Sequence, residues 1–242
     1  MDTGLIITII LISAMGGFIQ RVSGFGFGIF VMLFLPYLVT PHTAASAIST
    51  IISCIMSGYN AFTYRKHVPF KKIIPLIVGA VIMIPLAVRF SVVISADFFK
   101  RLLGIALMIL SIYFICFNQR FKIKPTFLNG VLAGGMGGVL NGLFSTGGPP
   151  IVLYLMSSID NNLMYFASAQ CYFCVTGIYS ITVRALNGVI TPDVLIYAAI
   201  GFFGCIFGNI AGKYTFDKLN ANMLRKIVYF GMLASGLIMA VK

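Results

Sequence analysis

Ten apolar stretches follow one another along the chain, separated by short polar or glycine-rich breaks. The longer ones approach the ~20 residues that a helix needs to cross the hydrocarbon core of a bilayer. This pattern predicts an all-α membrane protein with about eight to ten membrane helical segments. The predicted segments are a (4–20), b (25–39), c (43–64), d (73–88) and e (102–117), followed by a′ (127–144), b′ (149–159), c′ (163–183), d′ (194–212) and e′ (227–241).

The two series of five segments match each other when one is shifted by about 122 residues. The break at 23–29 then aligns with 145–151, and the Ala-Ser-Ala run at 45–47 aligns with the one at 167–169. Repeats of this kind are a construction rule of many secondary transporters. We therefore predict one integral membrane domain made of two repeats, a first from 1 to 124 and a second from 125 to 242.

The composition excludes an ordinary soluble enzyme. Apolar residues make up 60% of the chain and charged residues 9%, whereas an average soluble domain is roughly 25% charged. The five acids are all Asp, and the chain has two His. Because these residues are so few, we expect no metal site, no cofactor and no enzymatic activity.

The formal net charge of +12 comes from basic clusters that lie between apolar runs, at 65–72, 120–124 and 213–226. This is the pattern of cytoplasmic loops under the positive-inside rule, so we expect a lipid bilayer and no nucleic acid as the partner.

The same charges favour inverted repeats over parallel ones. With inverted-topology repeats, eleven Lys and Arg fall inside and five outside, whereas parallel repeats give nine and seven. This count treats 89–101 as one loop and Arg184 as part of another. We expect a multi-pass protein of the plasma membrane with both termini outside.

The breaks between a and b and between a′ and b′ are the candidate functional site. Segment b′ has 11 residues and spans only about 16 Å of the ~30 Å core, which suits a broken or re-entrant helix. Backbone groups exposed by a break must face protein or a water-filled cavity. Two half-helices would then direct free N–H groups and positive dipole ends at one point, which favours a small anion.

Each residue of the two breaks has an expected role. Ser23 is predicted to cap segment b and Ser145 or Thr146 to cap b′, while Pro149 suits a first helical turn. The glycines allow sharp turns and close approach of a ligand, although small residues also serve helix packing in membranes. The predicted binding residues of the breaks are Ser23, Gly24, Gly26, Gly28, Ser145, Thr146, Gly147, Gly148 and Pro149.

Three further polar features have two interpretations each. Arg21 either binds the anion or holds the first break, or else it reaches lipid headgroups at the interface. Gln170 either lines the substrate pathway or bonds one helix to another. Cys171 and Cys174 have the spacing of a thiol-redox pair, but cysteines in apolar surroundings more often pack as small apolar residues.

Several motifs resemble one known family over nearly the full length. They are the glycines of Gly24-Phe-Gly26-Phe-Gly28, the run that begins Gly147-Gly148-Pro149-Pro150, the two Ala-Ser-Ala runs, and Val68-Pro69. On these motifs the chain resembles the TauE/SafE family of sulfite-exporter-like membrane proteins. The resemblance implies proton-coupled or gradient-driven movement of sulfite, organosulfonates or related small anions. Phe25 and Phe27 depart from the family's glycine-rich run.

The residues and the resemblance together predict a secondary transporter of a small anion, a sulfur-containing one, that works by alternating access. Protons are the candidate coupling ion. A passive channel for a small solute is the first alternative, because half-helix ends also set the selectivity of pores. A thiol-redox membrane protein is the second.

Overall fold

The structure, a computed structural model, describes residues 3–117, 124–215, 230 and 233–239. Within these ranges all regular structure is helical, as the sequence predicts. The helices are α1 (Thr3–Ser23), α2 (Phe27–Val31), α3 (Leu35–Leu38), α4 (His42–Thr63), α5 (Phe70–Val93), α6 (Ala96–Phe117), α7 (Phe127–Phe144), α8 (Gly148–Ser158), α9 (Asn162–Leu186) and α10 (Pro192–Thr215), with a short 3-10 turn, Arg65–His67, after α4.

Five of these helices are long and apolar enough to cross a membrane, namely α1, α5, α7, α9 and α10. Each predicted segment from a to d′, apart from b, corresponds to one helix, and α7 coincides with a′. Of the predicted segment e′, the structure describes Phe230 and 233–239, which are helical. The basic residues at 120 and 122, and those from 218 to 226, lie outside the described residues.

Segment b is not the single half-helix that the sequence predicts. The structure divides it into α2 and α3, with a turn at 32–34 between them. Pro36 lies in the first turn of α3. It has no N–H to donate to the carbonyl of Met32, and its ring would collide with that carbonyl in a continuous helix.

The charged residues between 89 and 101 do not form the loop that the charge count assumes. Arg89 lies in the last turns of α5, Lys100 and Arg101 lie in α6, and the connection between the two helices is short. These cations therefore belong to helix ends, from which long side chains reach the membrane surface.

Glycines set the two closest helix contacts. Four of the six glycines of α7, those at 130, 134, 138 and 142, recur at every fourth residue, and a Cβ built on each would collide with α5. Helix α10 packs against α1 in the same way, with Gly204 and Gly208 against the backbone of Ile10 and Ala14. Both pairs run parallel. Small residues let membrane helices approach closely, which gives van der Waals contact where lipid supplies no hydrophobic driving force.

A third pair, α4 and α9, crosses in antiparallel orientation. Asn60 near the end of α4 meets Gln170 near the start of α9, and Ser46 near the start of α4 meets Arg184 near the end of α9. Most polar side chains of α4 are buried. They face protein instead of lipid, because a buried polar group needs a hydrogen-bond partner.

The outer faces of the bundle are apolar. On α5, Ile74, Ile82 and Leu86 are exposed, and on α10 Phe203 and Phe207 are more than 60% exposed. A continuous exposed apolar surface of this kind marks contact with a membrane. The exposed residues therefore form the lipid-facing side of the fold.

Adjacent glycines of α7 provide a test of the glycine contact. A Cβ on Gly134 would lie 2.6 Å from the carbonyl carbon of Leu76, whereas a Cβ on Gly135 would meet its nearest neighbours, Met83 Cγ and the Gly79 carbonyl oxygen, at 3.5 and 4.0 Å. Gly134→Ala should cost about 1–3 kcal/mol through overpacking, while Gly135→Ala should be neutral or stabilising by about 0.5–1 kcal/mol. Thermal unfolding of both purified variants in detergent measures this. Equal stability of the two would contradict the proposed packing.

Candidate functional site

Both breaks line one small cavity, which we call the central cavity. Its volume is about 40 Å³. It lies beside the middle of α4 and the middle of α9, halfway along the two antiparallel helices. The lining residues are Gln20, Phe25, Gly26, Phe27, Gly28, Ile29, Thr50, Ser53, Cys54, Asn141, Ser145, Thr146, Gly147, Gly148, Tyr172, Phe173, Thr176 and Gly177. The structure therefore brings six of the predicted residues together, those at 26, 28 and 145–148.

The two breaks touch each other through their backbones. A Cβ built on Gly28 would collide with the carbonyl oxygen of Ser145, so only glycine fits at 28 without movement of the second break. Gly24 and Gly26 have φ angles of 81° and 104°, in the left-handed region that glycine adopts at little cost. These turns bring the chain from the end of α1 into α2.

The second break is built from different residues. Ser145 ends α7 with φ 58° and ψ 25°, a left-handed conformation that is uncommon for any residue with a side chain. Its N–H donates to the carbonyl of Asn141 at 2.9 Å. Gly148 then begins α8, and Pro149 lies in the first turn as the sequence predicts.

The predicted serine and threonine caps are wrong. The residues at the N-caps of α2 and α8 are Gly26 and Gly147, and neither cap has a side-chain hydrogen bond. Ser145 instead ends α7. Ser23 is the last residue of α1, three residues before the cap, because α1 continues further than predicted; its side chain lies outside the part that the structure describes.

The two helix starts offer unequal numbers of donors. In α2 the amides of the first three residues, 27–29, precede the first intrahelical bond, from Phe30 N–H to the carbonyl of Gly26. In α8 Pro149 and Pro150 have no N–H, so Gly148 supplies the one amide of the first three positions. The first break therefore contributes most of the backbone donors.

Gln170 holds the first break from behind and does not line the central cavity. Its Nε2 donates to the carbonyl of Gly24 at 2.8 Å, and its Oε1 accepts from Asn60 Nδ2 at 3.4 Å. Gln20 lines the cavity and donates from Nε2 to Ser57 Oγ at 3.3 Å. Its Oε1 is buried and has no partner within the described residues.

A comparison with protein families decides what kind of protein contains this site. A family model described as Sulfite exporter TauE/SafE matches residues 9–239. The chain belongs to the TauE/SafE family.

The match covers both breaks and almost all of the chain, which confirms the resemblance seen in the motifs. TauE/SafE proteins are membrane transporters and generally not enzymes, so this chain is a multi-pass membrane transporter of the sulfite-exporter-like type. No curated protein and no solved structure matches it.

Arg21 lies apart from the central cavity of this TauE/SafE protein. Its Cζ is 5.8 Å from the centroid of the Phe166 ring. With Gly24 and Lys213 it lines a larger cavity of about 570 Å³. The predicted residues Arg21 and Gly24 thus belong to a separate space beside the first break.

Arg184 is the polar residue that the sequence analysis missed, because it was counted as part of a loop. It lies in the last turn of α9 and is fully buried. One terminal nitrogen donates to Ser46 Oγ at 2.8 Å. The other donates to the carbonyls of Asn141 and Gly142 at 3.1 and 2.8 Å. These carbonyls end α7, so Arg184 holds the second break as Gln170 holds the first.

A signal for Arg184 was present in the sequence. Tyr172, Thr176, Ser180 and Arg184 recur at every fourth residue, and residues so spaced share one face of a helix. All four are buried in the structure. A polar stripe on an otherwise apolar helix indicates a face that contacts protein rather than lipid.

The cysteine contacts support packing over redox chemistry. Cys54 Sγ donates to the carbonyl of Cys174 at 3.7 Å. The Sγ of Cys174 lies 3.5 Å from a Cβ built on Gly58. These contacts join α4 to α9, as expected for cysteines that act as small apolar residues.

The hydrogen bonds of Arg184 predict a specific loss of stability. Arg184→Met should leave the carbonyls at the end of α7 with fewer donors, at a cost of about 1–3 kcal/mol, while Arg184→Lys should lose less because one ammonium can still reach one acceptor. Arg89→Met, at an exposed position of α5, is the matched control. Thermal unfolding in detergent measures the effect, and an Arg184→Met protein as stable as the Arg89→Met control would show that the contacts are dispensable.

Proposed function

We propose that this chain is a secondary transporter of a compact sulfur oxyanion such as sulfite, which binds in the central cavity and crosses by alternating access. The observation that carries the proposal is that both breaks line one small cavity halfway along α4 and α9. Breaks at membrane depth are tolerated where they face such a space, and in many transporters they form the substrate site.

Amides and hydroxyls are the donors offered to the anion. The amides come from 27–29 and Gly148, and hydroxyls come from Ser145 and Thr146. The described residues that line the cavity include no Lys, Arg or His. A singly charged anion suits such a site better than a dianion, because uncompensated charge is expensive to bury. If protons are the coupling ion, the substrate itself would carry one as a protonated monoanion.

The size of the cavity favours an inorganic oxyanion over an organosulfonate. A buried water molecule needs about 10–15 Å³ of cavity volume, so the 40 Å³ of the central cavity admits roughly three waters. Three or four oxygens around one sulfur fit that space. An added organic chain does not fit it in this conformation.

Several helix contacts support two inverted repeats, 1–124 and 125–242. The shift of about 122 residues relates α4 to α9, and these helices run antiparallel. It also relates α1 to α7 and α10 to α5, so the two glycine-packed parallel pairs are equivalent to each other. An inverted repeat is expected to give such a pattern of contacts.

Alternating access is supported by the arrangement of three cavities. Beside the central one lie the 570 Å³ cavity near Tyr64, at the end of α4, and another of about 400 Å³ near Pro41, at its start. Rocking of one repeat against the other would open the central cavity to each in turn. A passive channel expects a continuous lumen, whereas here the central cavity is small and separate from the other two. The basic turn Arg65–His67 follows Tyr64, so the positive-inside rule assigns that side to the cytoplasm of the plasma membrane and both termini to the outside.

The contact between the breaks can be tested by transport. Gly28→Ala should abolish sulfite uptake into proteoliposomes, because the methyl group would collide with the carbonyl of Ser145 and displace the second break. Gly58→Ala is the control, since its Cβ would meet only Cys174 Sγ at an ordinary 3.5 Å. Saturable uptake should persist in Gly58→Ala. Normal uptake by a folded Gly28→Ala protein would contradict the site, and flux without saturation in the wild type would favour the channel.

The size argument predicts selective stabilisation. Sulfite at about 100 times its dissociation constant should stabilise the purified protein by about 2.7 kcal/mol through mass action. An alkylsulfonate at the same concentration should give a smaller rise in unfolding temperature. A larger rise with the alkylsulfonate would show that the bound anion has an organic chain and that the cavity expands to hold it.

A further inference from the structure

The two larger cavities are related by the same shift as the repeats. One, which we call the basic vestibule, is lined by residues from 159–166 together with Arg21, Tyr64 and Lys213. The other, the opposite vestibule, is lined by residues from 38–44 together with residues from 187–197 and Val92. A shift of 122 places 38–44 on 160–166 and Tyr64 next to Asn187. The cavities are therefore equivalent positions of the two repeats.

Their charges are opposite. Among the described residues that line the basic vestibule, the charged ones are Arg21, Lys213 and Asp160. Those of the opposite vestibule include Asp193 and no Lys or Arg. The residues equivalent to Arg21 and Lys213 in the other repeat are Leu143 and Ser91. The fold thus forms both cavities, and the basic vestibule alone has two added cations, Arg21 from the first repeat and Lys213 from the second.

Close packing places the stem of Arg21 beside the residue that precedes Lys213. A Cβ built on Gly212 would lie 2.9 Å from Cβ and 3.1 Å from Cγ of Arg21, so the stem of Arg21 rests on α10 one residue before Lys213. The guanidinium of Arg21 also lies over the Phe166 ring, at 5.8 Å from its centroid. Both cationic residues line the basic vestibule.

A single short piece of backbone separates this vestibule from the central cavity. Gly24 lines the basic vestibule, and Phe25 and Gly26 line the central cavity. A Cβ on Gly24 would lie 3.5 Å from Phe166 Cδ2, beside the ring that Arg21 contacts. An anion bound by the two cations would therefore lie next to the first break.

We propose that Arg21 and Lys213 form a second anion site, a capture site that concentrates sulfite-sized or sulfonate anions in the basic vestibule and has no counterpart in the opposite one. That this site supplies anions to the central cavity rests on the proposed function. Anion binding at the two cations does not depend on it. A cleft lined by charge of one sign raises the local concentration of the opposite ion and its rate of association. The capture site supplies the attraction that the central cavity, lined by amides and hydroxyls, does not provide at a distance.

Equivalent cysteine probes test the potential of each vestibule. Asn162 lines the basic vestibule and Thr40 the opposite one, and the two positions are equivalent under the repeat shift. Asn162→Cys and Thr40→Cys are each labelled with anionic sulfonatoethyl methanethiosulfonate and with its cationic trimethylammonium counterpart, and the wild type gives the background of native cysteines. At about 20 mM salt the anionic-to-cationic rate ratio should be about tenfold higher at 162 than at 40, and the difference should shrink at about 500 mM salt.

Variants of the cations show whether the capture site is the cause. Adding Arg21→Gln and Lys213→Gln to Asn162→Cys should lower its ratio to that of Thr40→Cys. The exchange Arg21→Lys with Lys213→Arg should keep it high. Lys71→Gln with Lys72→Gln removes the same charge from the start of α5, where Lys71 is exposed and Lys72 partly buried, and should change the ratio less than twofold. Equal ratios at 162 and 40, or a high ratio that survives Arg21→Gln and Lys213→Gln, would overturn the proposal.

The labelling experiment does not depend on transport, so the two proposals can fail separately. A high ratio at 162 in a protein that shows no sulfite uptake would leave the capture site standing and refute the proposed function. Sulfite uptake with equal labelling ratios at 162 and 40 would support the proposed function and refute the capture site. In a transporting protein, Arg21→Gln with Lys213→Gln should raise the KM for sulfite about tenfold from the basic side and less than twofold from the opposite side.

Discussion

The structure depends on one constraint: backbone groups freed by a broken helix inside a membrane must find partners within the protein. The two breaks meet this constraint together. Gly28 lies against the carbonyl of Ser145, Gln170 donates to the carbonyl of Gly24, and Arg184 donates to the last carbonyls of α7. Because Gln170 and Arg184 both lie on α9, one helix holds the two breaks in place.

The same constraint explains the distribution of polar residues. Helices α4 and α9 carry buried hydroxyls, amides and one guanidinium, and they face each other in the centre, while α5 and α10 expose apolar side chains outward. Glycine contacts such as Gly134 on Leu76 and Gly208 on Ala14 bring the surrounding helices close enough to enclose this polar centre. In the proposed function, the amides and hydroxyls of the central cavity bind the anion without a permanent counter-charge, which favours its release on the other side.

In the proposed inverted repeat, a symmetric scaffold carries asymmetric chemistry. The first break offers three amides at the start of α2, whereas Pro149 and Pro150 leave one at the start of α8. Two cations lie in the basic vestibule and none among the described lining residues of its counterpart. The proposed alternating access needs equivalent cavities on the two sides but not equivalent charges, so the two vestibules can differ in how strongly they attract an anion.

The sequence by itself determined the helical class, the places of the breaks and the family, because these follow from local properties: the length of apolar runs, the position of proline and the conformational freedom of glycine. Even the division of segment b has a local cause in Pro36. Only the tertiary structure decided that Gly26 and Gly147 are the caps, that Gln170 braces a break instead of lining the cavity, and that Arg21 belongs to a separate vestibule. It also showed that Arg184, which the charge pattern assigns to a loop, is buried against α7. The last three of these depend on which helices meet and at what depth, and contacts between residues more than forty positions apart do not follow from any local sequence pattern.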